Sequence, residues 1–327
     1  PLRTLRYRFT AMNILLTGGT GFLGSHIAGA LVEAGHRVVC SVRRTSDTRW
    51  IEPLGVETVT LDLVEGTVPG AIAGVEAVVH CGGLTRARSE AEFRRVNADG
   101  TATLARAASR AGVRRFVFMS SLAARGPDGA AGPISPYGRS KAAAEGALGG
   151  LEGDMERVVL RPGGIYGPRD PDLLPLFRLA ARGWVPVPAG SPPLQPVYVD
   201  DVVSATTAAL TAPPPGPPLP VAHPARHGWP ALALALEEGL GVDARIVQVP
   251  PALFWAAGLV SEVVSRFTGK APAMDRRRAR DMSRHRWTTA IDETRRALGW
   301  EPRVDIRQGL ALTAAWYREA GWLPSAT

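Results

Sequence analysis

Residues 13–24, Asn13-Ile14-Leu15-Leu16-Thr17-Gly18-Gly19-Thr20-Gly21-Phe22-Leu23-Gly24, decide the fold. An apolar strand runs into a turn with glycines at 18, 21 and 24, and a helical pattern opens at Phe22. In that strand–turn–helix setting Gly18 permits the tight turn, Gly21 lets backbone approach a diphosphate, and Gly24 lets the helix pack closely, with the anion at the positive helix end. The candidate dinucleotide contacts here are Gly18, Thr20, Gly21, Phe22, Leu23 and Gly24. Working outward, apolar runs recur at 37–42, 56–61, 77–80, 116–120 and 157–160, with helical stretches near 96–111 and 137–151. Strands alternating with helices require parallel crossovers and helices on both faces, so the sequence predicts an α/β doubly wound parallel sheet. Beyond Pro168 the alternation becomes irregular, and the prolines of 213–220 exclude helix and central strand, which reads as a surface connection. The expected organisation is a disordered extension over 1–11 and a dinucleotide-binding domain over 12–168, to which 196–212 returns. A smaller, mixed C-terminal substrate region is expected mainly from 169–195 and 213–327.

Composition narrows the function classes. The 327 residues are 45% hydrophobic and 21% charged, which excludes bulk disorder. Gly 36 and Pro 28 follow no G-X-Y period, so the excess marks loops and not a collagen helix. Cys40 and Cys81 offer neither a disulfide framework nor metal-ligand spacing, which fits a reduced cytoplasmic setting and no metal. The net charge of +8 comes from scattered arginines and not from a patch, arguing against nucleic acid. No run reaches the ~18 uncharged apolar residues of a membrane span, so a soluble protein is expected.

The chemistry is concentrated in Tyr137-Gly138-Arg139-Ser140-Lys141. The chain has five tyrosines and, by inspection, lysines only at 141 and 270, so a chance Tyr-x-x-x-Lys is expected on the order of 0.03 times. On a helix the two share a face, so Lys141 can hold a nicotinamide ribose while its charge lowers the pKa of the Tyr137 phenol. Such a phenol can exchange a proton with an alcohol oxygen as hydride leaves the carbon. Upstream, Phe118-Met119-Ser120-Ser121 ends a strand, where a hydroxyl can bond the reacting oxygen. Arg43 and Arg44 end the second strand where an acidic residue would accept the ribose 2′-OH of NAD(H), which favours the 2′-phosphate of NADP(H). Asp62-Leu63 follows the third strand and reads either as an adenine-edge contact or as a helix start. His80, at a strand end, reads as cofactor packing, and Asp200-Asp201 as a helix cap.

With these residues in place, the chain resembles the extended short-chain dehydrogenases/reductases of the NAD-dependent epimerase/dehydratase type, including the 3β-hydroxysteroid dehydrogenase and dihydroflavonol reductase branches. The resemblance runs from Met12 to about Leu323. It rests on TGGTGFLG at 17–24, VNADGT at 96–101, FMSSLAARG at 118–126, YGRSK at 137–141, LRPGGIYGP at 160–168 and VYVDDV at 197–202. It implies a Rossmann domain in which Ser121 is the catalytic hydroxyl, Tyr137 the acid/base and Lys141 its partner. It further implies that Asn97 supports the site, that Pro162, Gly163 and Ile165 line the nicotinamide, and that the protein is a homodimer built on helices at 99–111 and 138–151.

Two departures bear on substrate. Nucleotide-sugar members carry an arginine just before the VDD strand to clamp a diphosphate, whereas this chain reads Leu194-Gln195-Pro196-Val197, leaving Arg169, Arg178 or Arg182 as substitutes. The arginines ending the second strand resemble reductases of lipophilic ketones. The expected activity is therefore interconversion of a secondary alcohol and a ketone on a steroid-like or 3-oxoacyl small molecule. The alternatives are a nucleotide-sugar epimerase/dehydratase with tightly held NAD, and a non-catalytic cofactor-binding scaffold. Residues 252–286 combine an apolar stretch, 252–267, with arginines at 276, 277, 278, 280, 284 and 286. That combination reads as a core helix or as a weak, peripheral membrane-surface contact.

Overall fold

The computed structural model describes residues 11–63, 72–128, 130–250, 252, 253, 256 and 284–324. Seven parallel strands form the central sheet: β1 (Asn13–Thr17), β2 (Arg37–Val42), β3 (Glu57–Thr60), β4 (Ala77–His80), β5 (Arg115–Met119), β6 (Glu156–Pro162) and a last edge strand, Leu219–Val221. From that edge the order runs to β6, β5, β4, β1, β2 and β3. The sequence places its side chains on both faces. Ile14, Leu16, Val38, Cys40, Val117 and Met119 pack in one cluster with Ile27 and Leu31, from helix α1 (Phe22–Glu33). Their neighbours Leu15, Val39, Val78, Phe116 and Phe118 pack in another, against Leu104 and Leu148 of the opposite helices. Continuous apolar strands are what a parallel sheet covered on both faces requires.

The opposite layer contains a helical run, α2 (Glu90–Phe93), a π-helical turn over Arg94–Asp99 and α3 (Gly100–Arg110), and then α4 (Pro136–Gly149). The second region contains β7 (Ile165–Tyr166), α5 (Leu174–Ala180), β8 (Trp184–Pro188) and β9 (Val197–Tyr198). α6 (Val199–Ala209) and β10 (the edge strand Leu219–Val221) return to the central sheet, and the second region resumes with α7 (Trp229–Leu240) and β11 (Arg245–Val249). α8 (Asp292–Leu298) packs back on the core of the sheet, and α9 (Ile306–Glu319) closes the second region. Phe177, Val185, Leu236, Leu310 and Tyr317 form its separate core.

The proline tract runs as a largely exposed connection over 213–218, and only at its end do Leu219 and Pro220 pair in parallel with Leu160 and Arg161. Pro220 is tolerated because β10 is an edge strand, where a missing N–H breaks no ladder on the open side. Of the expected extension only Ala11 lies among the described residues, and 252–286 falls largely outside them.

Candidate active site

Helix α4 begins at Pro136, and Ser135 caps it by accepting a hydrogen bond from the Gly138 amide (3.0 Å). A Cβ on Gly138 would stand 2.3 Å from the Ala123 carbonyl oxygen. Glycine there lets the first turn of α4 lie against the short turn, Leu122–Ala124, that follows Ser121. Tyr137 is half-buried, its ring 6.0 Å from that of Phe93. One helical turn on, Lys141 is only 4% exposed, donates from Nζ to the Met119 carbonyl (2.8 Å) and lies 4.8 Å over the Phe118 ring. Burial lowers its pKa from 10.5 to about 8.

Asn97, in the π-helical turn, ties this arrangement together. Its Nδ2 donates to the Leu84 carbonyl (2.9 Å) and to Ser140 Oγ (3.0 Å), while its Oδ1 accepts from the Leu84 amide (2.7 Å). Ser140 Oγ in turn donates to the Tyr137 carbonyl (2.7 Å). A Cβ on Gly83 would lie 2.9 Å from Asn97 Oδ1 and 3.5 Å from Lys141 Nζ, so the loop after β4 passes directly beside the lysine. The two serines part company. Ser120 is buried and donates to Glu145, whose carboxylate is gripped by Arg161. Ser121 Oγ is partly exposed and accepts from the Ala123 amide (3.1 Å), leaving its proton for an acceptor on the open side.

The glycine turn fits a dinucleotide. A Cβ on Gly24 would come 2.1 Å from the Gly18 carbonyl oxygen, so only glycine keeps the start of α1 tucked under the turn. Gly21 is the N-cap, and its position carries no side-chain cap, which leaves the first backbone amides of α1 for an anion. Arg43 is exposed at the end of β2, and Leu63 packs on Gly100 of α3. Pro162 ends β6, Gly163 donates its amide to the Val221 carbonyl (2.9 Å), and Ile165 pairs with Val197. A Cβ on Gly163 would meet the side chain of Leu122 at 3.5 Å, which brings this stretch beside Ser121.

His80 departs from the reading as a cofactor contact. It is fully buried, with Nδ1 2.5 Å from Thr17 Oγ1 and Nε2 2.9 Å from Thr101 Oγ1. Thr101 donates its one proton to the Asn97 carbonyl (2.5 Å), so His80 must donate from Nε2 and accept at Nδ1. Burial pushes its pKa down to about 3 and keeps the ring neutral. The relay Thr17–His80–Thr101 therefore braces the turn from beneath.

Two of the three arginine substitutes have partners, and Arg182 is exposed. Arg169 reaches Ser25 Oγ (3.2 Å) and stacks over Trp50 (4.9 Å), and Arg178 contacts the Trp322 carbonyl. Asp200 and Asp201 are not the cap of α6, since Tyr198 holds that position. Asp201 instead accepts from the amides of Arg303 (2.8 Å) and Val304 (3.2 Å).

Residues 286–289 carry no motif in the sequence, yet the structure ties them to the loop after Ser121 and to Gln195. Asp128 accepts from the Thr288 amide (3.2 Å) and Thr288 Oγ1 (2.5 Å), while Arg125 donates to the Thr288 carbonyl (2.8 Å). From the other side Gln195, 4% exposed, donates to the carbonyls of His223 (2.7 Å) and Thr289 (3.0 Å) and accepts from the Thr289 amide (2.7 Å). Arg125 and Asp128 follow Ser121 closely in sequence, the one local signal for this pairing.

Comparison with known proteins agrees with this geometry. The model of the NAD dependent epimerase/dehydratase family matches residues 14–220. A ceramide reductase of Caulobacter vibrioides is 34% identical over 95% of this chain and 96% of its own. A UDP-glucose 4-epimerase of Vibrio cholerae is 27% identical over 94% and 96%. The crystal structure of gox2253 superposes with a TM-score of 0.77 at 28% identity, covering 95% of this chain and 99% of the other. The glycine turn under α1 and the buried lysine one turn after a tyrosine thus accompany a match over more than half the chain, and the protein belongs to the NAD-dependent epimerase/dehydratase family of extended short-chain dehydrogenases/reductases, NAD(P)-dependent enzymes.

Proposed function

We propose that the protein is a reductase that interconverts a ketone and a secondary alcohol on a largely apolar, lipid-like small molecule, with NADP(H) preferred over NAD(H). The observation that carries the apolar reading is Gln195. Where a nucleotide-sugar enzyme needs a cation for a diphosphate, this chain has a buried amide whose hydrogen bonds all go to backbone. A substrate diphosphate at that place would be poorly neutralised. The ceramide reductase, similar along nearly the whole chain, supports a lipid substrate.

The bound dinucleotide would supply or accept the hydride. Gly18, Thr20, Gly21, Phe22, Leu23 and Gly24 would hold its diphosphate. Arg43 would take the 2′-phosphate, Asp62 and Leu63 the adenine side, and Pro162, Gly163 and Ile165 the nicotinamide. In the reductive direction Tyr137 donates its phenolic proton to the carbonyl oxygen, and Ser121 donates a hydrogen bond that orients the same oxygen. Lys141 holds the ribose and, as a cation, favours the phenolate left behind. Asn97, through Ser140, fixes the backbone that carries Tyr137.

The same reading makes the protein a cytoplasmic homodimer through α3 and α4, whose Ala- and Gly-rich sequences suit close helix approach. It also makes 252–286 the route by which a lipophilic substrate is admitted, in weak contact with the membrane surface. No helix among the described residues is long and apolar enough to cross a membrane.

The test is NADPH oxidation with 3-oxoacyl, steroid-like and ceramide-derived ketones. Tyr137→Phe should abolish turnover while cofactor binding persists; turnover by that variant would refute the mechanism. Micromolar binding of UDP or dTDP to the NADP⁺-saturated protein would overturn the substrate class in favour of a nucleotide-sugar enzyme.

A further inference from the structure

The turn Thr17–Gly24 contains no cation, so a diphosphate seated there would meet backbone amides, the end of α1 and uncharged side chains of the turn. Arg86 lies on the loop next to this turn. The loop 81–88 leaves β4 beside the turn, with the amides of Cys81 and Gly82 donating to the Thr17 carbonyl and to Thr17 Oγ1 (both 3.1 Å). Segment 167–172 lies over the first turns of α1: the Pro168 carbonyl accepts from His26 Nε2 (3.0 Å), and Arg169 reaches Ser25. Arg86 Nη2 and Asp172 Oδ1 form an ion pair that joins these two segments. The loop that carries Arg86 leaves the carboxyl end of β4, which neighbours β1 at the point where the strand order of a doubly wound sheet reverses.

That ion pair uses half of the arginine fork. Arg139, Arg161 and Arg295 each engage one carboxylate, of Glu90, Glu145 and Glu301, with Nε and Nη2 together. Arg86 engages Asp172 with Nη2, and its buried Nε meets no acceptor among the described residues. A buried charged donor without an acceptor is unfavourable, and planar forks suit phosphate oxygens. We propose that Arg86 is a ligand of the dinucleotide diphosphate, with Asp172 holding its guanidinium in place. The assignment rests on the dinucleotide-binding reading above and adds a side-chain cation to a turn that has none.

The experiment is titration of NADPH, followed by its fluorescence, into the full-length protein at low and at physiological salt. Arg86→Gln should raise the Kd about tenfold or more and flatten its salt dependence. Asp172→Asn should raise it less than about threefold, and the double variant should match Arg86→Gln. Arg86→Lys, which keeps the charge without the fork, should fall between and carries the test if Arg86→Gln does not fold. An unchanged Kd in Arg86→Gln overturns the assignment. So do equal losses in Arg86→Gln and Asp172→Asn, which would make the pair a tie between loops. If the wild type bound neither NADPH nor NADH, the dinucleotide reading itself would fail, a result distinguishable from either.

Discussion

Replacing Lys141 by methionine should stabilise the cofactor-free protein at neutral pH while abolishing catalysis. Burial holds the Lys141 pKa at about 8 in the folded chain, against 10.5 when the side chain is free in water. Its cationic form is therefore disfavoured by folding, and the sign follows directly. Below pH 8 the full penalty is present, and it is relieved as the pH rises toward 10.5, because the unfolded chain then binds more protons than the folded one. At 1.36 kcal/mol per pH unit the penalty is about 3 kcal/mol at pH 7, about 2 at pH 9 and about 1 at pH 10. Methionine keeps the unbranched stem and suits the face of Phe118, but it leaves the Met119 carbonyl without its donor, a loss of about 1–2 kcal/mol. The net gain at pH 7 is about 1–2 kcal/mol, or roughly 2–3 °C in Tm for a chain of this length.

The difference should then vanish near pH 9–10 and reverse above it. Urea unfolding of both proteins without cofactor, at pH 7, 9 and 10, measures it. Cys40 and Cys81, whose thiols burial pushes to about 11 and about 12, oppose the trend, since buried thiols favour the folded state until they must ionise. Both are present in each protein, and although Cys81 feels the Lys141 charge, both thiols stay protonated in the folded state up to pH 10, so over that range the difference between the curves isolates the lysine. A variant less stable than wild type at pH 7, or a difference that does not change between pH 7 and 10, would refute the reasoning. A stabilised but inactive variant is the expected signature of a side chain kept for chemistry against its own packing.

Gly24→Ala should lose NADPH binding and destabilise the fold by about 2 kcal/mol or more, because its Cβ would lie 2.1 Å from a backbone oxygen; fluorescence titration and thermal melting check both. His80 and His26, with pKa values lowered to about 3 and about 4 by burial, should make stability fall as pH drops below 6.5, where the unfolded imidazoles take up protons that the folded ones refuse. His80→Asn should shrink that loss between pH 6.5 and 4 in urea titrations. Gln195→Leu should cost about 2–3 kcal/mol and raise KM several-fold with kcat nearly unchanged, since it frees the 286–289 segment without touching Tyr137; a fall in kcat alone would contradict this.

The half of the protein legible in the sequence is the half built from local rules. The turn at 18–24 and the Tyr137–Lys141 spacing each specify their geometry within a dozen residues, and strands β1 to β6 fell within two residues of the apolar runs. His80 was misplaced because its neighbourhood marks a strand end beside the cofactor but not the direction of the ring. Two threonines, 63 and 21 residues away, turn it into the interior. Asp201 was misread for a similar reason: an aspartate in the first turn of a helix suggests a cap, yet its partners lie about a hundred residues downstream. Proline excludes helix and central strand, so the tract reads as a connection, and only its last residues take the edge position where proline is tolerated.

The C-terminal segment explains why the substrate is harder to read than the cofactor. Thr294 donates to the Pro220 carbonyl (2.5 Å), Trp300 donates from Nε1 to the Asp201 carbonyl (3.0 Å), and Arg303 and Val304 donate to the Asp201 carboxylate. These bonds anchor 291–304 to the back of the sheet, with Ile291, Leu298 and Trp300 in the same core as β1. The preceding residues, 286–289, are thereby delivered to the loop after Ser121 and to Gln195. On the proposed function, one face of the substrate site would be set by a segment some 150 residues from Tyr137 in sequence, fixed by bonds to backbone that leave little trace in residue type. In such an arrangement cofactor chemistry can stay constant while changes near 286–289 and 195 alter what is reduced. Substitutions at Arg125, Asp128, Gln195 and Thr288 should therefore shift substrate preference, read as ratios of kcat/KM, at constant NADPH affinity.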